Sequence, residues 1–147
     1  GGVHLLRKQV FKTFILTNCD ILILEDVREI LHLHKEKNNQ VTMVCSLKNF
    51  EIPYGIVNFT EGGEISSFEE KPKMSFFTNT GCYILEPSIF EYIGENEHID
   101  MPDIIMRMKE DGQKIGLYPI GENSWLDMGR MDTIENMERK IRELKID

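Results

Sequence analysis

The chain has 147 residues, 41% hydrophobic, 29% charged and 9% aromatic, which suits one folded domain and is too apolar for a disordered chain. A net charge of −8 excludes nucleic acid as the main partner, because a phosphate backbone demands a basic face. An acidic protein still binds small phosphates where a divalent cation or a few placed side-chain cations meet them.

The run Lys12–Thr17 is compact and apolar and reads as a buried strand, with Asn18-Cys19-Asp20 as its polar tip. Ahead of it, a helix is expected from about His4 to Lys12. Asp26 is placed to cap a helix from Val27 to about Lys37, with Val27, Ile30, Leu31 and His34 on one face and Asn38-Asn39 as the stop. Val41–Leu47 is rich in β-formers, so the order strand, helix, strand favours a parallel crossover. Tyr54–Phe59 and Ile65–Glu70 flank Thr60-Glu61-Gly62-Gly63, a hairpin signal. Asn79–Leu85 is another apolar strand, and Pro87 suits the first turn of a helix through Ile93. Asp100 and Pro102 open a helix carrying Ile104, Ile105 and Met108 that stops near Gly112. Ile115–Pro119 is strand-like, and Asp132 with Glu135 forms a capping box before a last helix striped by Ile134, Met137, Ile141 and Leu144. No repeat or linker interrupts the pattern. The fold class is α/β with a mixed sheet.

The three cysteines, Cys19, Cys45 and Cys82, are widely spaced within apolar runs and make no CxxC pair, so buried free thiols in a reducing cytoplasm are the expectation. No stretch approaches the roughly 20 apolar residues of a membrane span, and no signal-peptide pattern opens the chain. His32 and His34, two apart on a helix, do not share a face and make a poor metal pair.

Three places draw attention for chemistry. Asp20 ends a buried strand, where ligands bind in open α/β sheets, although Asn-Cys-Asp equally suits a turn bonded to its own backbone. Glu69-Glu70-Lys71-Pro72 joins two acids to an ammonium, a set suited to sugar hydroxyls and a phosphate or to a plain solvated loop. Trp125-Leu126-Asp127 puts the only tryptophan beside a carboxylate, as a site wall or as a structural aromatic.

Taken in order, five segments resemble the sugar-1-phosphate nucleotidyltransferases. These are Thr17-Asn18-Cys19-Asp20-Ile21-Leu22, Ile52-Pro53-Tyr54-Gly55-Ile56-Val57, Phe68-Glu69-Glu70-Lys71-Pro72, Asn79-Thr80-Gly81-Cys82-Tyr83-Ile84-Leu85 and Trp125-Leu126-Asp127-Met128-Gly129. The resemblance implies a Rossmann-like mixed sheet flanked by helices, and a reaction of an NTP with a sugar 1-phosphate giving an NDP-sugar and pyrophosphate. It implies Asp20 and Asp127 as catalytic Mg²⁺ ligands, converging in the fold from distant places in the chain. Glu70 would hold sugar hydroxyls and Lys71 the sugar phosphate; Gly55 would admit the sugar close to the backbone; Tyr54, Asn79, Gly81 and Trp125 would line the pocket. Where relatives often have threonine after Asp-Met-Gly, this chain has Arg130.

The family's first strand and its glycine-rich, arginine-bearing triphosphate loop have no counterpart in residues 1–147, which read as a single partial catalytic domain. Gly1-Gly2-Val3 resembles the tail of a later stretch that helps read the base. The expectations are that this chain does not catalyse alone and that a homo-oligomer covers the sheet edge left open. Two rivals remain: a non-catalytic sugar-phosphate or nucleotide-binding regulatory module of the same fold, and a glycosyltransferase, which would want a DxD motif where this chain has Asn-Cys-Asp. The Ile-Pro-Tyr-Gly and Trp-Leu-Asp-Met-Gly-Arg wording leans toward relatives that act on mannose or amino-sugar 1-phosphates with GTP.

Overall fold

The computed structural model describes residues 2–128. The predicted last helix and Arg130 lie outside the described residues. The chain runs through β1 (Phe14–Thr17), β2 (Ile21–Ile23), α1 (Val27–Glu36), β3 (Val41–Glu51), β4 (Ile56–Phe59), β5 (Ile65–Glu69), β6 (Lys73–Leu85), α2 (Met101–Glu110), β7 (Ile115–Ile120) and β8 (Trp125–Asp127). A four-stranded sheet has the order β1-β6-β3-β7, with β6 antiparallel to both neighbours and β7 parallel to β3. Since β1 and β3 both oppose β6, they run the same way, and α1 between them makes the expected crossover, with β6 inserted between the two strands. Two further pairs, β2-β8 and β4-β5, stand apart.

The sheet is covered on both faces, and strand alternation decides which residues go where. Tyr83 and Leu85 of β6, with Val41, face one core together with Ile104, Ile105 and Met108 of α2 and with Ile89, Phe90 and Ile93. Cys82 and Ile84, one residue out of phase, join Val44, Ile30 of α1 and Ile120, with Ile21, Ile23 and Trp125 packed alongside. Successive residues therefore serve opposite layers.

The caps follow the sequence. Asp26 accepts from the Arg28 backbone N–H at 2.9 Å and starts α1. Asn38 (φ 51°) and Gly112 (φ 78°) take the left-handed conformation that ends α1 and α2, and their amide N–H groups donate to the carbonyls of Lys35 and Lys109. His34 is buried as expected of its face, and its polarity is satisfied through Nδ1 to Thr42 Oγ1 (2.8 Å) and through Nε2 to Glu86 Oε1 (3.1 Å).

Four expectations need correction. The run Lys12–Thr17 gives the strand β1, but none of its residues is buried, since β1 lies at the sheet edge and, among the described residues, pairs on one side only. The helix over His4–Lys12 is a single 3-10 turn, Gly2–Leu6, because the Arg7 guanidinium donates to the carbonyls of Phe90 and Ile93 and ties the chain down after one turn. Val27 is exposed: it shares the face of Ile30 and His34, but as the first residue of α1 it lies at the helix end. Cys19 is exposed at the polar tip, whereas Cys45 and Cys82 are buried, and all three are free. Burial pushes both buried thiols up from their ordinary pKa, with the Thr17 hydroxyl pulling slightly the other way at Cys82.

Candidate functional site

The candidate residues fall into two groups at opposite ends of the outer half of β6. The first is built on β2 and β8, which pair antiparallel with Ile21 opposite Asp127, Leu22 opposite Leu126 and Ile23 opposite Trp125. The Met128 backbone N–H donates to the Asp20 carbonyl at 2.8 Å, closing the pair one step further out. Asp20, in the turn just before β2, thus lies one step along from Ile21, the residue that faces Asp127 across the pair, so two acids distant in sequence come to the same strand end. Asp20 is exposed and Asp127 partly so. Among the described residues no group of three or more His, Cys, Asp or Glu is placed to hold a metal. Carboxylate oxygens are hard donors, the type that suits Mg²⁺, which keeps several waters when one or two acids hold it.

Gly81 supports this corner. The pairing of β3 with β6 shifts between Val44 and Cys45, so that Cys45 faces Asn79 and the Thr80-Gly81 step is extra. Such bulges re-aim the chain and are frequent beside active sites. Gly81 has φ 83°, and a Cβ there would lie 2.5 Å from Asn18 Nδ2. Only glycine allows the polar tip that leads into Asp20 to lie against the bulge. The Asn18 backbone N–H donates to the Gly81 carbonyl at 3.1 Å. Asn79, expected near the sugar, uses both ends of its amide to brace the bulge: Oδ1 accepts from the Gly81 N–H (3.1 Å) and Nδ2 donates to Tyr83 OH (2.6 Å). The Thr80 hydroxyl donates to the Val44 carbonyl at 2.7 Å, satisfying the ladder where register is lost.

The second group sits on the β4-β5 hairpin, which pairs Ile56 with Glu69 through Asn58 with Ser67 and then shifts register to put Phe59 opposite Ile65. A Cβ on Gly55 would meet the Phe68 ring at 2.6 Å and Glu70 Oε2 at 2.9 Å. The space the missing side chain leaves is therefore used by the same hairpin, which brings the Glu70 carboxylate against the Gly55 backbone. Lys71 has φ 45°, a left-handed conformation rare for a side chain of this kind. Non-glycine residues held this way collect at ligand clamps, where the surroundings over-determine them. Tyr54 is 73% exposed beside this turn.

Two neighbours had no sequence signal. Lys48, in the outer part of β3, puts its Nζ 5.2 Å from the centre of the Trp125 ring and 3.2 Å from Glu122 Oε1. A lysine in a strand looks like any solvated charge; only the fold shows what it covers.

The nucleotidyl transferase family pattern matches residues 2–143. A UTP--glucose-1-phosphate uridylyltransferase from Synechocystis sp. is 30% identical over 143 residues, an overlap of 90% of this chain and 36% of that protein. Mannose-1-phosphate guanyltransferase beta-A from Xenopus laevis is 28% identical over 121 residues, covering 80% and 33%. A solved structure of a candidate glucose-1-phosphate thymidylyltransferase from Bacillus anthracis, in complex with a sucrose, shares the fold with TM-score 0.69 at 17% identity, over 99% of this chain and 61% of that one. The chain spans about a third of the length of these curated relatives.

Proposed function

Because this chain belongs to the nucleotidyl transferase family, we propose that it carries the sugar-facing and metal-facing part of a sugar-1-phosphate nucleotidyltransferase. The observation that supports this best is the β2-β8 pairing, which places Asp20 next to the strand end that bears Asp127. In the proposed reaction a sugar phosphate oxygen attacks the α-phosphorus of an NTP in line. One P–O bond forms, the bond to the bridging oxygen breaks, and pyrophosphate leaves with that electron pair. Little covalent chemistry is asked of the protein, so positioning and charge neutralisation dominate.

Asp20 and Asp127 would hold Mg²⁺ as paired carboxylates. When bound, the ion supplies charge neutralisation between the nucleotide and sugar phosphates. Glu70, seated against Gly55, would accept hydrogen bonds from sugar hydroxyls, and Lys71 would meet the sugar phosphate as a point charge. Tyr54 and Trp125 would wall the pocket; Asn79 and Gly81 would serve it from behind by holding the bulge. The named relatives transfer different nucleotides to different sugars, so the GTP and mannose or amino-sugar preference rests on the Ile-Pro-Tyr-Gly and Trp-Leu-Asp-Met-Gly-Arg wording alone.

Nothing within residues 1–147 resembles the triphosphate loop, and turnover by these residues alone is expected to be below detection. Among the described residues β1 is paired on one side only, which supports assembly through that edge in a homo-oligomer. A stable monomer in sedimentation would count against this assembly. The cytoplasm is the proposed compartment, in keeping with three free thiols.

The test has two arms. Calorimetric titration of glucose 1-phosphate and of mannose 1-phosphate into the chain should give Mg²⁺-dependent binding that Asp127→Asn abolishes. In a longer form carrying the rest of the catalytic domain, Asp127→Asn should cut Mg²⁺-dependent pyrophosphate release by about 10³-fold or more. Undiminished release by that variant would overturn the metal assignment.

A further inference from the structure

Trp125 is the chain's one tryptophan, and it lies two residues before Asp127 on β8. A buried indole is usually fixed by its N–H, which finds an acceptor. Here the Trp125 Nε1 is buried and has no hydrogen-bond partner among the described residues. The ring is therefore not oriented by its polar handle. Two other contacts remain: the apolar cluster of Ile30, Val44, Cys82, Ile84 and Ile120 that it packs against, and the Lys48 ammonium 5.2 Å from its centre.

Lys48 is itself held. Its Nζ lies 3.2 Å from Glu122 Oε1, and its side chain is 26% exposed, so the charge is only partly in water. Glu122 opens the 3-10 turn Glu122–Ser124 that leads directly into β8. Lys48 sits just past Ser46, the last β3 residue that pairs with β7. From there it spans the gap between the end of the main sheet and the strand carrying the acid. We infer that Lys48 is a positioning residue for this site: clamped by Glu122 and laid on the indole, it fixes the Trp125 ring and so the pocket wall beside Asp127. The inference rests on the nucleotidyl-transfer reading of the site, and it adds a residue that no motif in the sequence marks.

Because Trp125 is the one tryptophan, the long-wavelength indole bands of the near-ultraviolet circular dichroism, beyond those of tyrosine and phenylalanine, and emission excited at that red edge report on this ring. Lys48→Met keeps the aliphatic stem and removes the cation, whereas Lys48→Arg keeps a cation able to stack. Without ligand, Lys48→Met should lose most of the indole dichroism with an unchanged thermal midpoint, and Lys48→Arg should retain it. With Mg²⁺ present, glucose 1-phosphate titrated against the same emission should bind Lys48→Met about 3- to 10-fold more weakly, and Lys48→Arg within about 2-fold of the parent.

An unchanged indole signal in Lys48→Met overturns the inference. So does a lost signal with undiminished affinity, which would leave Lys48 ordering the ring without serving the site. If the parent chain itself binds neither glucose 1-phosphate nor mannose 1-phosphate, the nucleotidyl-transfer reading fails and takes the site role with it; the ligand-free dichroism still judges the clamp.

Discussion

β3 and β6 are two regions in one. Over Val41–Ser46 and Thr80–Leu85 the strands lie between β1 and β7, covered on both faces, and almost every residue is buried. Beyond the bulge, over Leu47–Glu51 and Lys73–Phe77, the same pair continues as a ribbon whose edges β1 and β7 no longer cover. There Phe50, Met74, Phe76 and Phe77 are exposed, as are Val57, Phe59, Ile65 and Phe68 on the β4-β5 hairpin. The difference teaches that pairing alone does not make core. The backbone ladder runs through both halves, but only the inner half is sandwiched by helices, and the hydrophobic effect follows area removed from water. The outer half is left with side chains free to meet a ligand.

The largest effect that would test this contrast is in packing. Leu85→Ala, in the inner half, should cost about 2–5 kcal/mol in urea unfolding, because it leaves a cavity in a close-packed layer. Phe76→Ala, in the outer half, should cost less than about 1 kcal/mol, since half of its ring is already wet. Equal losses would mean that the ribbon is as much core as the sheet.

Next comes function without stability. Lys71→Met should weaken glucose 1-phosphate binding by about 10-fold while the unfolding midpoint stays put. Lys71→Gly should weaken binding similarly and leave stability within about 1 kcal/mol of the parent, because relief of the left-handed φ offsets the entropy a glycine loses on folding. A large stability change in either variant would make Lys71 a scaffold residue.

Thiol chemistry divides the molecule along the same line. An aromatic disulfide reagent at pH 8 should label one cysteine, Cys19, and reach Cys45 and Cys82 only on unfolding, since burial raises their pKa and shields them. Labelling at Cys19, next to Asp20, should also block Mg²⁺-dependent ligand binding.

The smallest effect is at the surface of the inner half. Glu97 pairs with Arg107 on α2 (2.6 and 3.0 Å) and accepts from the Gly94 N–H, and the Arg107 guanidinium, with that amide, holds its carboxyl down to about 2. A carboxyl lowered in the folded state adds stability that is present above its ordinary value near 4.5 and is lost as pH falls toward 2. Glu97→Gln should flatten the pH dependence of the urea midpoint over that window and lower the midpoint at pH 7 by no more than an exposed ion pair is worth.

Much of the inner half was legible in the sequence, because periodicity and caps are local. Asp26, Asn38, Pro102 and Gly112 mark helix ends through their own side chains or φ angles, and the apolar runs around Phe14, Val41, Ile84 and Ile115 mark the four strands of the main sheet, buried at β3 and inner β6 and only half-covered at β1 and β7. The outer extensions of β3 and β6 were not legible, since Lys48-Asn49-Phe50 and Lys73-Met74-Ser75 take their strand form from each other. β2 and β8, three residues each, escaped for the same reason. Asp20 and Asp127 were marked by resemblance to a family, while their adjacency is a matter of register that no local pattern holds. Lys48 and Glu122 looked like surface charge.

The β2-β8 pair also has a meaning in time. Ile21 meets Asp127 across a loop of about a hundred residues, among the longest closures in the chain, and closure entropy rises with the logarithm of loop length. A three-residue ladder cannot hold such a loop shut unless the sheet between has already drawn the ends together. The two acids should therefore meet late in folding, after the inner sheet has formed. Their adjacency would then be the last thing gained in refolding, and amides at this clasp would exchange before those of Val44 and Ile84.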